Sequence, residues 1–170
     1  MNFRRAQVDD APALARVHVD SWQVAYRSVI PDSFLQRFTY QRREEAFRQA
    51  LAANLEETYV IEDDDRAVGI LTIGACRDSD LDASRTGEIW GVYIVPDYWR
   101  RGIGTRLVQE GEHMLQSRGY DDIVLWVLED NADARRFYEI MGYAPDGASR
   151  TLELGKTLRA VRYKKVIAGP

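Results

Sequence analysis

Apolar and polar residues follow a helical period along the first third of the chain. Phe3 to Val8 is a short stretch that predicts an edge strand. Asp9-Asp10 followed by Ala11-Pro12 is typical of a helix start. The helix that follows carries an apolar face at Leu14, Val17, Trp22 and Tyr26. A second helix is predicted from about Gln41 to Leu55, with the buried stripe Ala46, Phe47, Ala50 and Leu51.

The period changes to that of β-strands at Thr58. The segments 58–62 and 67–73 predict a hairpin, because Asp63-Asp64-Asp65 between them is a turn sequence. A polar loop follows, and residues 88–95 predict a third strand that Pro96 ends. This part of the chain is therefore expected to form a meander of three strands.

The second half of the chain alternates helices and strands. Apolar residues from Ile103 to Leu115 lie on one helical face, and this helix is expected to end at Arg118-Gly119. Residues 122–128 predict a strand buried on both faces. A short helix capped by Asn131 follows, with Ala134, Phe137, Tyr138 and Met141 as its stripe, and residues 143–167 predict two strands. The order predicts a mixed α/β fold with a largely antiparallel sheet of about seven strands, flanked by about four helices.

Composition narrows the class of protein. With 170 residues, the chain is expected to form a single domain over 1–170. The formal net charge of −4 argues against a sequence-independent nucleic-acid partner. The longest apolar run, 123–128, is too short to span a membrane, and the first residues lack the apolar core of a signal peptide. We therefore expect a protein of the cytoplasm with no nucleic-acid or membrane partner.

Few residues are available for metal or thiol chemistry. Cys76 is the one cysteine, so no internal disulfide can form, and it is expected to fill space in the core. His18 and His113 are far apart and cannot complete a zinc set with it, so no metal is expected. Both histidines are expected to serve packing or the surface.

The segment from Pro96 to Leu107 is the most informative of the chain. A predicted strand ends there, a turn carries Gly102 and Gly104, and a helix begins. The free N–H groups of a first helical turn attract anions, and glycines let a phosphate approach the backbone closely. Thr105-Arg106 stands where a P-loop would have Lys-Ser/Thr, and the third glycine of the dinucleotide-binding fingerprint is missing. The turn is therefore an anion site of another kind.

Two motifs together resemble the GNAT superfamily of acyl-CoA-dependent N-acyltransferases. The glycine turn is similar to that family's Gln/Arg-x-x-Gly-x-Gly/Ala, although Trp99 stands at the leading position. The segment from Asn131 to Tyr143 resembles the family's Asn-x-x-Ala-x-x-Phe-Tyr-x-x-x-Gly-Phe/Tyr. The opening Phe3-Arg4-Arg5-Ala6 and the order of elements over residues 2–166 also fit.

The resemblance implies direct transfer of an acetyl group from acetyl-CoA to a primary amine of a small molecule or peptide, in a ternary complex. Arg106 is left open as a further phosphate contact. The implied cofactor-binding residues are Val92, Tyr93, Ile94, Arg100, Arg101, Gly102, Ile103, Gly104, Thr105, Asn131 and Ala134.

Acyl transfer to an amine needs a base for the ammonium and an acid for the departing thiolate. Glu88 is the candidate base, directly or through water; it lies four residues before Val92, so both are expected on the same face of the strand. Glu110, Glu112 and Asp20 are weaker alternatives. Tyr138 is the candidate acid, since the matching tyrosine of the family lies beside the CoA sulfur.

The acceptor is less well defined by the sequence. The resemblance implies that Trp22 and Tyr26 bind the substrate, while packing in the core is the competing interpretation. The acidic balance and Asp78, Asp80 and Asp82 favour a cationic small-molecule amine. The alternatives are a CoA-binding regulatory module without turnover and a transferase of another acyl group. A homodimer, common among similar proteins, is also expected, because the C-terminal strands offer exposed edges.

Overall fold

The computed structural model describes residues 1–167, which form a seven-stranded sheet with helices on both faces. The strands are β1 (Asn2–Arg5), β2 (Glu57–Asp63), β3 (Arg66–Ala75), β4 (Thr86–Ile94), β5 (Asp122–Leu128), β6 (Ala144–Glu153) and β7 (Thr157–Val166). The helices are α1 (Ala11–Ala25), α2 (Asp32–Leu35), α3 (Tyr40–Ala52), α4 (Ile103–Ser117) and α5 (Ala132–Ile140). Short 3-10 turns lie at Val8–Asp10 and Pro96–Tyr98.

The strand order is β1-β2-β3-β4-β5-β7-β6, and every neighbouring pair is antiparallel except β4 and β5. The predicted fold class, mixed α/β with a largely antiparallel sheet of seven strands, is confirmed. Five helices are present where about four were predicted. The additional one, α2, has four residues and lies in the connection between α1 and α3, where no helical period is visible in the sequence.

The sheet splits between its two parallel strands. β4 and β5 pair only from Thr86 opposite Asp122 to Ile89 opposite Leu125. Beyond Ile89, β4 continues to pair with β3 on one side, while its other edge has left β5. The chain therefore builds a cleft whose wall is a strand edge, with backbone hydrogen-bonding groups turned toward it.

Helices α1 and α3 cover one face of the sheet, and α4 covers the other. The α4 face is packed closely: a Cβ at Gly87 would lie 2.9 Å from Leu115, and one at Gly111 would lie 3.3 Å from Leu71. On the opposite face, α1 buries Leu14, Ala15 and Val17, among others, against the central strands. Because both faces are covered, the central strands are apolar almost throughout.

A β-bulge at Trp90 changes the facing of β4. Gly91 is opposite Thr72 and Ile89 is opposite Ile73, so Trp90 is an extra residue in β4. The extra residue reverses the alternation of side chains, which puts Glu88 on the α1 face together with Gly91 and Tyr93. Val92 lies on the α4 face. The expectation that Glu88 and Val92 share a face is therefore wrong, because it assumed an uninterrupted period of two.

The acidic loop between β3 and β4 is already neutralised. Arg162 of β7 donates to Asp78 and Asp80 at 2.8–3.0 Å and to Asp146 at 2.6 Å. Asp82 accepts from the backbone N–H and the hydroxyl of Ser84. These carboxylates are therefore not available to attract a cationic amine, and the preference drawn from them does not hold.

Two general observations complete the fold. None of the helices in residues 1–167 is long and apolar enough to cross a membrane. Within the same residues, His, Cys, Asp and Glu side chains form no group of three that could hold a metal ion. Cys76 is buried, with 5% of its surface exposed, as expected of a residue that fills space.

Candidate active site

The glycine turn places unpaired N–H groups at the start of α4. The N–H of Trp99 donates to Pro96 and that of Arg106 donates to Gly102. Between them, Gly102 is the N-cap residue, and no side chain caps the helix. The N–H groups of the first turn, Ile103 to Thr105, therefore have no partner inside the helix and point out of its end. This arrangement attracts an anion, as the sequence predicts.

Both glycines of the turn are required by its geometry. Gly102 has a φ of 79°, in the left-handed region, and nothing lies within 4 Å of where its Cβ would be. A Cβ at Gly104 would come within 3.3 Å of both Ile94 and Phe137. The turn thus leaves an open approach to its backbone, with room for a phosphate and none for larger side chains at Gly104.

The arginines predicted beside the turn are arranged differently from one another. Arg100 and Arg101 are exposed, and the Arg101 guanidinium lies over the ring of Tyr98 at 5.0 Å. Arg106 is half-buried, 4.0 Å from Glu110. All three carry their charge at the end of α4 where the N–H groups emerge.

The free edge of β4 presents the backbone of Val92 and Ile94 to the cleft. The N–H of Val95 donates to Val68 of the neighbouring chain, and hydrogen bonds to one neighbour alternate along an antiparallel strand. The backbone groups of Val92 and Ile94 consequently point away from β3, and Trp99 Nε1 donates to the carbonyl of Ile94 at 2.7 Å. Tyr93 differs from the prediction, because its backbone faces Ile70 of β3.

Helix α5 forms the opposite wall of the cleft. Its N-cap is Asn131, whose side-chain oxygen accepts from the N–H of Ala134 at 3.2 Å. The capping role that the sequence suggested for Asn131 is therefore present. Phe137 packs against the start of α4, and Tyr138 packs against Tyr143 with ring centroids 6.0 Å apart.

Three tyrosine side chains converge where the sheet splits. Burial raises the pKa of Tyr26 to about 12, with Tyr93 adding to the shift. The pKa of Tyr138 is raised by burial and by the nearby Tyr26 and Tyr93. All three hydroxyls therefore stay protonated near neutral pH and can donate hydrogen bonds at the cleft.

Glu88 is held by a single partner. It is 1% exposed, and it accepts from the backbone N–H of Arg77 at 2.9 Å and from its guanidinium at 2.6 and 3.2 Å. Arg77 in turn lies over the ring of Trp90, at 4.2 Å. In this arrangement Arg77 lies between the Glu88 carboxylate and the solvent-accessible cavity described next.

Trp22 and Tyr26 form part of an aromatic cluster. Trp22 stacks on Phe38 at 4.4 Å and contacts Tyr26 at 4.7 Å. Both pack on a second apolar cluster that includes Ile30 and Leu35. Neither lines the cavity beside Tyr93, so packing, the competing interpretation, describes their contacts in this structure.

A cavity of about 160 Å³ lies on the α1 face of the sheet, beside Tyr93 and the bulge. Its walls include four polar or charged residues that the sequence did not single out as functional, namely His18, Arg43, Glu56 and Arg77. They come from α1, α3, the start of β2 and the loop after β3. No local pattern connects such distant positions, which is why they were missed.

His18 is a buried, neutral residue of this cavity. It is 4% exposed, and its ring lies 4.4 Å from that of Tyr93. Burial lowers its pKa to about 3, with Arg43 adding to the shift. Its Nδ1 has no hydrogen-bond partner in the part of the chain that the structure describes. His18 thus fulfils the predicted packing role and also lines the cavity.

Burial of neutral His18 makes stability depend on pH. The unfolded state binds a proton below about pH 6.5, whereas native His18 does so only near pH 3. Stability is therefore lost as the pH falls from about 6.5 toward 3, and the loss between pH 7.5 and 5 is expected to be about 2 kcal/mol from this residue. Urea unfolding at the two pH values measures it.

The control for this prediction is the exposed His113. His18→Phe is expected to remove about 2 kcal/mol of the pH dependence, whereas His113→Gln is expected to keep the wild-type dependence. Equal dependence in the wild type and His18→Phe would show that the buried ring does not determine it.

Comparison with known proteins gives a consistent result. A family model described as the acetyltransferase (GNAT) family matches residues 19–143. An uncharacterized N-acetyltransferase of Bacillus subtilis, YuaI, is 29% identical over 170 residues, covering 99% of this chain and 92% of that protein. An uncharacterized N-acetyltransferase of Archaeoglobus fulgidus is 30% identical, covering 81% of this chain and 89% of that protein.

Solved structures support the fold. The PaiA N-acetyltransferase of Thermoplasma acidophilum, crystallised with coenzyme A, superimposes with a TM-score of 0.76. The comparison covers 98% of both chains at 16% sequence identity. The likeness therefore extends over the whole sheet and its helices.

Proposed function

Since this chain belongs to the acetyltransferase (GNAT) family and acetyl-CoA is its co-substrate, we propose that it transfers the acetyl group to a primary amine of a small molecule, by direct attack in a ternary complex. The observation that carries the proposal is the pair of features at the split of the sheet. An uncapped helix start lies at one end of a free strand edge, and Tyr138 lies across from it. We propose that residues 1–170 act as one domain.

The residues at the cleft fit acetyl-CoA. The N–H groups of Ile103, Gly104 and Thr105, together with the open backbone at Gly102, suit a pyrophosphate, and Arg100, Arg101 and Arg106 add positive charge. The outward backbone groups of Val92 and Ile94 suit the amides of the pantetheine arm, as an added strand would. Asn131 and Ala134 border the same cleft at the start of α5. When bound, acetyl-CoA supplies the acetyl group as a thioester.

The reaction needs two proton movements. The amine nitrogen forms a bond to the acetyl carbon as the carbon–sulfur bond breaks, so one proton leaves nitrogen and one reaches sulfur. We assign the second to the Tyr138 hydroxyl, whose raised pKa keeps it protonated. An outward N–H of β4 is placed to donate to the carbonyl oxygen.

Two carboxylates are candidates for the first proton. Glu88, the base predicted from the sequence, serves only through Arg77 or a water, since Arg77 bonds to both of its oxygens. Glu56 lines the cavity itself, and its Oε1 accepts from the Thr58 hydroxyl at 3.1 Å. The direct contact with the cavity favours Glu56, and Glu88 then acts by fixing Arg77.

Binding of acetyl-CoA is tested at the glycine turn. Gly102→Asp is expected to weaken acetyl-CoA binding by about 10- to 100-fold in calorimetric titration, because a carboxylate a few ångströms from phosphates repels them. Gly119→Asp is the matched control. Gly119 also has a positive φ (87°) with nothing within 4 Å, but it lies at the far end of α4.

The control separates backbone strain from electrostatic repulsion, because both variants force an aspartate into the left-handed region. Gly119→Asp is expected to bind acetyl-CoA like the wild type. Equal losses in the two variants, or no binding by the wild type at millimolar acetyl-CoA, would contradict the phosphate site.

Two further features of the protein are part of the proposal. We propose a cytoplasmic location, supported by the single, buried Cys76. A homodimer is proposed through the edge of β6, which is mostly exposed and pairs only with β7 among residues 1–167. Sedimentation equilibrium measures the second of these directly.

A further inference from the structure

The cavity beside Tyr93 carries charges that acetyl transfer as such does not require. It opens on the α1 face, opposite the face that α4 covers, and Tyr93 joins it to the cleft that holds Tyr138. A group bound in the cavity would therefore lie next to the place of transfer. The charged side chains in its wall report on the chemistry of that group.

Arg43 is an unusual arginine for this protein. Its guanidinium lies 5.1 Å above the ring of Phe47, and its Nε is buried without a hydrogen-bond partner in the described chain. No ion pair within residues 1–167 includes it. By contrast, Arg77 is paired with Glu88, and Arg162 is paired with three aspartates.

A buried donor without a partner is costly, especially on a charged group. The missing partner of Arg43 is an acceptor, and the guanidinium geometry suits two oxygens of one carboxylate. His18, adjacent in the same wall, is neutral and has an unbonded Nδ1. It therefore adds hydrogen-bonding capacity and no charge.

Glu56 supplies the opposite charge. Its half-buried carboxylate bonds to the Thr58 hydroxyl and forms no ion pair within the described residues. Arg43 and Glu56 thus lie in one cavity wall, both charged and not bonded to each other. A ligand complementary to both carries a negative and a positive group.

We propose that the acceptor is a small zwitterion of the amino-acid class, whose carboxylate binds Arg43 and whose ammonium binds Glu56. The inference rests on the proposed acetyltransferase function and specifies its substrate. The cavity volume of about 160 Å³ agrees with a small acceptor. It lies below the roughly 300–1,000 Å³ of sites for drug-sized ligands.

The test compares acceptors that differ only in the carboxylate. The release of CoA thiol is measured for the twenty amino acids, their carboxamides, the matching decarboxylated amines, and spermidine as a carboxylate-free polycation. At least one amino acid is expected to have a KM about 10- to 100-fold below that of its amide, because a hydrogen-bonded charge pair is lost in the amide.

Variants assign the effect to Arg43. Arg43→Gln is expected to raise the KM of the amino acid by about 10- to 100-fold and to leave that of the amide unchanged. Arg48→Gln is the matched control, since Arg48 lies on the same helix and pairs at the surface with Glu44. The wild-type comparison of acid with amide needs no variant and stands if Arg43→Gln folds poorly.

The outcomes separate this inference from the function on which it rests. Turnover of amides, amines or spermidine as efficiently as amino acids, with acetyl-CoA bound normally, would overturn the inference and keep the acetyltransferase. An amino-acid preference that Arg43→Gln leaves intact would also overturn it. Failure of the wild type to bind acetyl-CoA and to acetylate any amine would instead contradict the proposed function.

Discussion

Tyr138→Phe is expected to lower kcat for acetyl transfer by about 10²- to 10⁴-fold, the usual contribution of a general acid, with little change in acetyl-CoA affinity. The substitution removes one hydroxyl and keeps the ring, so the packing against Tyr143 remains. The expected loss arises because the thiolate then departs without a proton donor. Steady-state release of CoA thiol and calorimetric titration with acetyl-CoA measure the two quantities.

Tyr143→Phe is the matched control for this experiment. Tyr143 lies against Tyr138, it is 2% exposed, and its hydroxyl has no hydrogen-bond partner within residues 1–167. Loss of that hydroxyl is expected to leave kcat unchanged. Wild-type turnover by Tyr138→Phe would exclude its role as the acid. Tight acetyl-CoA binding without turnover by the wild type would favour a regulatory module.

Arg162→Met is expected to reduce the free energy of unfolding by about 3–5 kcal/mol, the range for breaking a buried ion pair. The Arg162 side chain is 5% exposed and bonds to Asp78, Asp80 and Asp146. Without it, these three carboxylates repel one another, and two of them are largely buried. Urea denaturation at pH 7.5 measures the change.

Arg85→Met provides the comparison, because Arg85 also pairs with an aspartate, Asp121, but its side chain is 70% exposed. A surface pair of this kind is expected to contribute at most about 1 kcal/mol. Similar losses in the two variants would show that burial of Arg162 does not decide its contribution.

Features with a local sequence pattern were predictable. The turn before α4 requires glycines and an uncapped helix start, and the cap of α5 requires Asn131, so each is written in a few consecutive residues. The order of strands and helices follows in the same way from periods of two and of 3.6. The cofactor half of the site was therefore accessible to sequence reasoning.

Features that depend on distant residues were not predictable. The bulge at Trp90 exists only in the pairing of β4 with β3, so an unbroken alternation misplaced Glu88 relative to Val92. The acidic loop appeared free because its partner, Arg162, lies about 80 residues farther along the chain. Arg43 and Glu56 likewise share a cavity only after α3 has packed on the sheet.

The cavity and the cofactor cleft come from different stretches of the polypeptide. His18, Arg43 and Glu56 all lie in the first 56 residues, whereas the β4 edge, the glycine turn and Tyr138 come after residue 91. Evolution can therefore change the N-terminal segment, and with it the choice of amine, while the residues that use the acetyl donor stay as they are. Relatives that share the second segment closely are then free to differ in the amine they accept, so the first 56 residues are the informative part for sorting such proteins by substrate.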